Sequence, residues 1–164
     1  MSLLPAPILS LASQQLAGRG RGNNVWLSPL GCLQFSLFLR TSLATLPASK
    51  LVFIQYLFGL AVVEACRETA ILGQLGERVR LKWPNDLYVV MGSGDAHRKK
   101  IGGILVNTNL TGNQAEIVIG GRLSTLMDAQ PILTFVHHRR LWAQCLQSAS
   151  NYIARTIAPS RIRS

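Results

Sequence analysis

Residues 99–120 read KKIGGILVNTNLTGNQAEIVIG. Two β-prone runs, 101–109 and 114–120, flank a short polar segment, Thr111-Gly112-Asn113, and that arrangement predicts an antiparallel hairpin. Working outward, residues 78–81 and 87–91 predict short strands on either side of Trp83-Pro84-Asn85-Asp86, with GSGDAHRK at 92–99 as a turn into the hairpin. Upstream, Leu33, Phe35, Leu37 and Leu39 recur at every second position, the period of a strand with one buried face. Residues 8–16, ILSLASQQL, predict a buried strand running into the glycine-rich turn segment AGRGRGNN. Between these, Val52, Phe53, Tyr56, Leu57, Leu60, Val63 and Ala65 follow helical spacing, which predicts one long buried helix over 50–72, ending near Gly73. Strands around one helix give the fold class α+β, a mixed or antiparallel sheet packed against helices. The pattern becomes hard to parse after Gly121, so residues 1–125 are assigned to one catalytic-type domain and 126–164 to a divergent C-terminal segment, with a basic amphipathic helix over 137–155.

A chain of 164 residues that is 48% hydrophobic suits a single domain with a substantial core. Its 17 Lys and Arg against 7 Asp and Glu, a formal charge of +10, favour anionic partners: nucleic acid, acidic protein surfaces or phosphorylated small molecules. The excess is clustered at Arg19 and Arg21, at Arg98, Lys99 and Lys100, and among the arginines from Arg139 onward. Cys32, Cys66 and Cys145 are odd in number and free of metal-type spacing, which predicts buried free thiols in a reducing compartment. The opening MSLLPAPILSLAS lacks a basic n-region, so the cytoplasm is the expected location. The apolar run 51–66 carries Gln55 and Glu64 and is shorter than the roughly 20 residues that cross a bilayer, so a core helix without membrane association is expected. His137 and His138, adjacent in a basic segment, are assigned no role.

Two motifs and a glycine pair carry candidate chemistry. Gly18-Arg19-Gly20-Arg21-Gly22 places two guanidinium groups on a backbone able to fold tightly and present N–H groups to an anion. It is not a dinucleotide fingerprint, because Asn23 stands where the third glycine belongs. Taken alone, it reads equally as an RGG-like loop contacting RNA, with Trp26 and Trp83 for stacking. Lys82 follows a strand and precedes Trp83-Pro84, which holds its ammonium at a strand end; a surface lysine beside a core tryptophan is the other reading. Gly102-Gly103 within IGGILV lets either a ligand or a neighbouring backbone approach closely.

Three segments in this order resemble the biotin protein ligase family of the biotin/lipoate ligase superfamily, particularly its eukaryotic members: SQQLAGRGRGNNVWLSP at 13–29, VRLKWPNDLYV at 79–89 and KKIGGILVNTNLTGNQAEIVIG at 99–120. The resemblance implies a fold like that of class II aminoacyl-tRNA synthetases and biotin synthetases. It also implies adenylation of the biotin carboxylate with ATP and transfer of biotin to a lysine of a biotin carboxyl carrier domain. By similarity Gln15 would hydrogen-bond biotin, and Gly18, Arg19, Gly20 and Arg21 would form a loop closing over biotin and the adenylate phosphate. Arg21 and Lys82 would be the catalytic cations, with Lys82 at the biotin carboxylate or adenylate linkage. Trp26 would lie beside the loop, and Gly102, Gly103 and Ile104 would line the slot for the biotin rings. Mg2+ would accompany ATP, with Asp86 as a candidate contact, and no specific nucleic acid or membrane partner is implied.

The sequence departs from the family at two places. The Ser-Thr-Asn type segment that holds the biotin ureido group is not found in the 17 residues before Gly18, which predicts a catalytic domain incomplete at both ends. After VIG the family continues with glycine and an asparagine, where this sequence has Arg122 and Ser124; Arg122 would either obstruct the nucleotide or turn outward. The alternatives are therefore a pseudoenzyme that binds acyl-adenylate or carrier protein, and a lipoate or octanoate ligase-like transferase.

Overall fold

In the computed structural model, residues 6–22, 24–28, 32–67, 73–92 and 97–124 are described. The segment 126–164, with His137, His138 and Cys145, lies outside them. In chain order the elements are β1 (Ile8–Ala12), β2 (Gln15–Arg19), β3 (Val25–Ser28), β4 (Leu33–Ser42), a 3-10 helix (Ala48–Phe53) continuing into α1 (Ile54–Arg67), a second 3-10 helix (Gly73–Arg78), β5 (Val79–Lys82), β6 (Asp86–Val90), β7 (Arg98–Thr111) and β8 (Gln114–Leu123). Six strands form one sheet in the order β1-β4-β8-β7-β6-β5. Every pairing in it is antiparallel. Strands β2 and β3 make a separate two-stranded hairpin.

The β7–β8 hairpin closes as expected, with Thr111 opposite Gln114 and only Gly112 and Asn113 between them. Gly112 has φ 57°, a conformation that side chains with a Cβ resist. The turn is anchored to the end of β4, where the Leu43 backbone N–H donates to the Asn113 carbonyl at 2.9 Å. The predicted alternation of β4 also holds: Phe35 and Leu37 are buried, and Phe35 meets Phe58 of α1 at 5.5 Å between ring centroids. Around that contact lie Val62 and Cys66 from α1 and Leu87, Val89, Ile104, Ile117 and Ile119 from the sheet. Among the described residues this core fills the space between α1 and one face of the sheet.

Two expectations fail. Strand β1 is not buried: four of its five residues are exposed, because it is an edge strand paired to β4 alone. The helix keeps part of the expected face, with Val63 and Ala65 buried, but its first turns point elsewhere. Val52 and Phe53 are 74% and 58% exposed, and Tyr56 is exposed as well, whereas Ile54, Phe58 and Val62 are buried. Residues 48–53 wind as a 3-10 helix with about three residues per turn, so a 3.6-residue spacing carried across that junction points to the wrong side. The whole run Ala48–Arg67 is 20 residues, long and apolar enough to cross a membrane by length and composition, yet α1 buries Phe58, Val62 and Cys66 against the sheet.

Candidate functional site

The face of the sheet opposite α1 forms the floor of a cavity of about 690 Å3. Antiparallel register sets one row of residues across that floor. Ala12 stands opposite Gln34, Gln34 opposite Arg122, Arg122 opposite Gly103, Gly103 opposite Asp86, and Asp86 opposite Lys82. Directly paired residues share a face. Alternation therefore keeps this row on the cavity side while Phe35, Leu87 and Ile104, one position along, enter the core. In the next row Ser10, Ser36, Gly120 and Leu105 continue the floor, and the two serines and the glycine leave room above it.

The β2–β3 hairpin supplies the wall. Gly18 pairs with Trp26 and Arg19 with Val25, and the tip closes through the Gly20 backbone N–H, which donates to the Asn24 carbonyl at 2.8 Å. A Cβ on Gly20 would collide with Trp26 Nε1, so only glycine lets the tip settle against the indole. Two cations from the main sheet reach the same ring: Lys100 Nζ and the Arg122 guanidinium carbon each lie 4.8 Å from its centroid. Attraction between a cation and the ring's negative face holds the hairpin over the floor.

The third element is the turn between β5 and β6. Its Pro84 carbonyl accepts from Gln55 Nε2 of α1 at 3.3 Å, and its Asn85 carbonyl accepts from the Ile104 backbone N–H at 2.9 Å. The Asn85 side chain then faces the hairpin, where its Oδ1 accepts from Arg21 Nη1 at 3.2 Å. Asp86 ion-pairs with Lys100 at 2.7 Å.

Of the residues expected at the site, Gln15, Arg19, Gly20, Arg21, Trp26, Asp86, Gly103 and Ile104 line the cavity. Gly18 does not, but a Cβ there would sit 2.7 Å from Gln15 Oε1, so its missing side chain leaves room for the glutamine amide. Gly102 also lies outside the lining. A Cβ on it would meet the Arg122 carbonyl oxygen, so this glycine serves the approach of β8, not a ligand. Lys82 is exposed, one strand beyond Asp86, with Nζ 5.6 Å above the Tyr88 ring, and is not part of the lining. Trp83 beside it is 75% exposed, which removes the core-tryptophan reading.

Sequence reasoning missed Lys100 and Gln34. Lys100 reaches the cavity because a bulge between Leu87 and Tyr88 shifts the register, pairing Tyr88 with Lys100 and putting both Ile101 and Gly102 toward the core. Simple alternation from Gly103 would have sent Lys100 to the other face. Gln34 carried a signal, a polar residue between Leu33 and Phe35, but that pattern ordinarily marks a solvated face. Arg122, expected to obstruct or to turn outward, turns into the cavity, where its Nη2 donates to Ser124 Oγ at 2.7 Å.

Among the described lining residues, four cationic side chains, Arg19, Arg21, Lys100 and Arg122, face a single carboxylate, Asp86. Such a cavity suits a ligand carrying more than one negative charge. Bringing a carboxylate against a phosphate is opposed by their repulsion, and fixed cations at a partly enclosed site lower that barrier. No group of three or more His, Cys, Asp or Glu side chains able to hold a metal occurs among the described residues, and the Asp86 carboxylate is already engaged by Lys100.

Comparison with known proteins agrees with this geometry. The profile of the Biotin/lipoate A/B protein ligase family matches residues 1–124. The biotin–protein ligase of Homo sapiens is 39% identical over 113 residues, covering 69% of this chain and 14% of that protein. The biotin–protein ligase of Schizosaccharomyces pombe is 37% identical over 115 residues, covering 67% of this chain and 18% of the relative. Among solved structures, the biotin acetyl coenzyme A carboxylase synthetase of Helicobacter pylori with bound biotinylated ATP superposes with a TM-score of 0.61 at 27% identity, covering 91% of this chain and 63% of the other. The biotin protein ligase of Aquifex aeolicus in complex with biotin and ATP gives 0.59 at 25% identity, covering 90% and 60%. The chain thus spans under a fifth of those two curated relatives and under two thirds of those solved chains.

Proposed function

The chain belongs to the Biotin/lipoate A/B protein ligase family, and from that premise we propose that it activates biotin with ATP in the cavity beneath the β2–β3 hairpin and passes it to a lysine of a biotin carboxyl carrier domain. In the first step a biotin carboxylate oxygen attacks the α-phosphorus of ATP, the bond to the β-phosphate breaks, and pyrophosphate leaves. In the second, the carrier amine attacks the acyl carbon of biotinyl-5'-adenylate, AMP leaves, and the amine loses a proton. The observation that carries the reading is the convergence of Arg19, Arg21, Lys100 and Arg122 on one cavity walled by Trp26.

Each residue then has a physical task. Gln15, given room by Gly18, offers an amide to biotin, and Arg19 and Arg21 on the hairpin screen the carboxylate and the α-phosphate as they approach. Gly103 and the backbone of Ile104 border the slot, and Gly102 keeps β8 close behind it. Lys82 stands one strand from the cavity edge, about 4.8 Å away by strand spacing, so its four-carbon stem reaches the mouth by a change of rotamer. Mg2+ would accompany ATP and screen its phosphate charge, with Asp86, here paired with Lys100, as the lining carboxylate that would contact it. The buried thiols of Cys32 and Cys66 support a reducing compartment such as the cytoplasm.

The deciding experiment is ATP-dependent biotin transfer to a purified carrier domain by this chain, beside its Lys82→Ala and Arg21→Ala variants. Transfer by the folded wild type that falls at least about 100-fold in either variant supports the reading. A folded wild type that neither transfers biotin nor exchanges pyrophosphate into ATP in a biotin-dependent way refutes it.

A further inference from the structure

Four large apolar side chains stand in the open around the start of the helix. Val52 and Phe53 end the first 3-10 helix, Tyr56 lies in the first turn of α1, and Trp83 opens the β5–β6 turn; all are between 40% and 75% exposed. The Gln55 amide that donates to the Pro84 carbonyl at 3.3 Å pins this part of the helix to that turn. Tyr56 adjoins Gln55, Val52 stands one turn before it, and Trp83 adjoins Pro84, so the four side chains belong to one stretch of surface. Single apolar residues are common on any surface, but a cluster of three aromatics and a valine marks a place where another molecule excludes water.

Two features indicate what that molecule is. The first is position. Trp83 lies two residues before Asn85, which lines the cavity, so the patch begins at most about 7 Å along the chain from the cavity rim. A lysine side chain reaches only a few ångströms beyond its backbone, and a domain that delivers its amine to an acyl-adenylate in the cavity has to rest on that rim. The second is charge. Lys50 stands three residues before Phe53 in a helix that repeats every three residues, so the two share a face, and Lys82 precedes Trp83. Glu64, the carboxylate on α1, lies about two turns past Tyr56 and is paired with Arg67 at 2.7 Å. Aromatic residues at the centre and cations at the edge match a partner that presents apolar residues ringed by carboxylates.

We propose that Val52, Phe53, Tyr56 and Trp83, flanked by Lys50 and Lys82, form the seat of the acceptor: an acidic face of the carrier domain docks there while its lysine enters the cavity past the Asn85 turn. The proposal rests on the biotin reading above and adds to it a surface outside the cavity. That surface serves only the second step, since adenylation requires biotin and ATP alone. Trp83 and Phe53 are the aromatic anchors, and Lys50 at the rim speeds encounter.

The two steps are read separately on the full chain, as biotin-dependent exchange of pyrophosphate into ATP and as biotin transfer over a range of carrier-domain concentrations. Trp83→Ala and Phe53→Ser should each raise the KM for carrier roughly tenfold while exchange stays at the wild-type rate, and Trp83→Phe should restore most of the affinity. Lys50→Glu should raise that KM severalfold in low salt and much less in high salt. An unchanged carrier KM in both Trp83→Ala and Phe53→Ser overturns the docking surface and leaves the biotin reading standing. Exchange that falls in step with transfer also overturns it, because the patch then serves the cavity or the fold. Patch variants that instead dissolve a wild-type dimer in sedimentation, or abolish binding to phosphatidylserine vesicles, with carrier KM unchanged, reassign the patch to a second copy or to a membrane. A folded wild type without biotin-dependent exchange overturns the biotin reading and the docking surface together.

Discussion

Arg21, at the tip of the β2–β3 hairpin, donates from Nη1 to Asn85 Oδ1 in the β5–β6 turn across 3.2 Å, joining two motifs 64 residues apart in the chain. The contact is exposed, so it contributes only about 1 kcal/mol, enough to bias the tip toward closure without locking it. Arg21 also carries charge that the bound phosphate is proposed to need. The same side chain thus couples closure of the hairpin to occupation of the cavity.

Asn85→Ala should release the tip while sparing the fold, because the backbone carbonyl that accepts from Ile104 remains. Trypsin cleavage after Arg19 or Arg21 is expected to quicken severalfold, with the melting temperature nearly unchanged. An unaltered cleavage rate counts against the latch.

Trp26→Ala removes the ring shared by Lys100 and Arg122. With two contacts of about 0.5–1 kcal/mol each, biotinyl-adenylate binding should weaken on the order of 5- to 30-fold, whereas Trp26→Phe should retain most of the affinity. Titration calorimetry of the three proteins measures this; equal losses in both variants would assign the effect to packing.

The two adjacent glycines should respond oppositely. A Cβ at Gly102 collides with the backbone of Arg122, so Gly102→Ala is expected to cost about 1–3 kcal/mol of stability by thermal or urea denaturation. At Gly103 the nearest atoms lie 3.7 Å away, an ordinary contact, so Gly103→Ala should fold normally and act only by narrowing the cavity. Its signature is weaker ligand binding at unchanged stability.

Burial pushes the Cys66 thiol up to about 12 from 9.0. Between those values the unfolded chain has lost this proton and the folded chain keeps it, so stability is fully present below pH 9 and declines as pH rises. The slope from this group is about 1.4 kcal/mol per pH unit. Cys66→Ala should flatten the alkaline limb of a stability profile relative to wild type, and parallel limbs would show that the thiol is not responsible. The same burial predicts slow alkylation of Cys66 in the native protein.

Much of this molecule is legible along the chain. Gly112 marks the β7–β8 turn, the two-residue period of Leu33 to Leu39 marks β4, and Lys82-Trp83-Pro84-Asn85-Asp86 marks a turn between two strands, all of which the structure contains. Those signals are local. Turn chemistry and side-chain period depend on residues a few positions apart, and the order of motifs sufficed to indicate the family. Tertiary structure alone decided which of these residues meet. The 3-10 winding of 48–53 redirects the helix, and the bulge beside Leu87 carries Lys100 to the cavity. Gln34, flanked in the sheet by Ala12 and Arg122, is buried on the cavity face instead of lying on a solvated one, and Lys82 is left outside the lining. Register between strands far apart in sequence, and the burial that a covering hairpin imposes, arise from long-range packing, to which a local pattern of residues is blind.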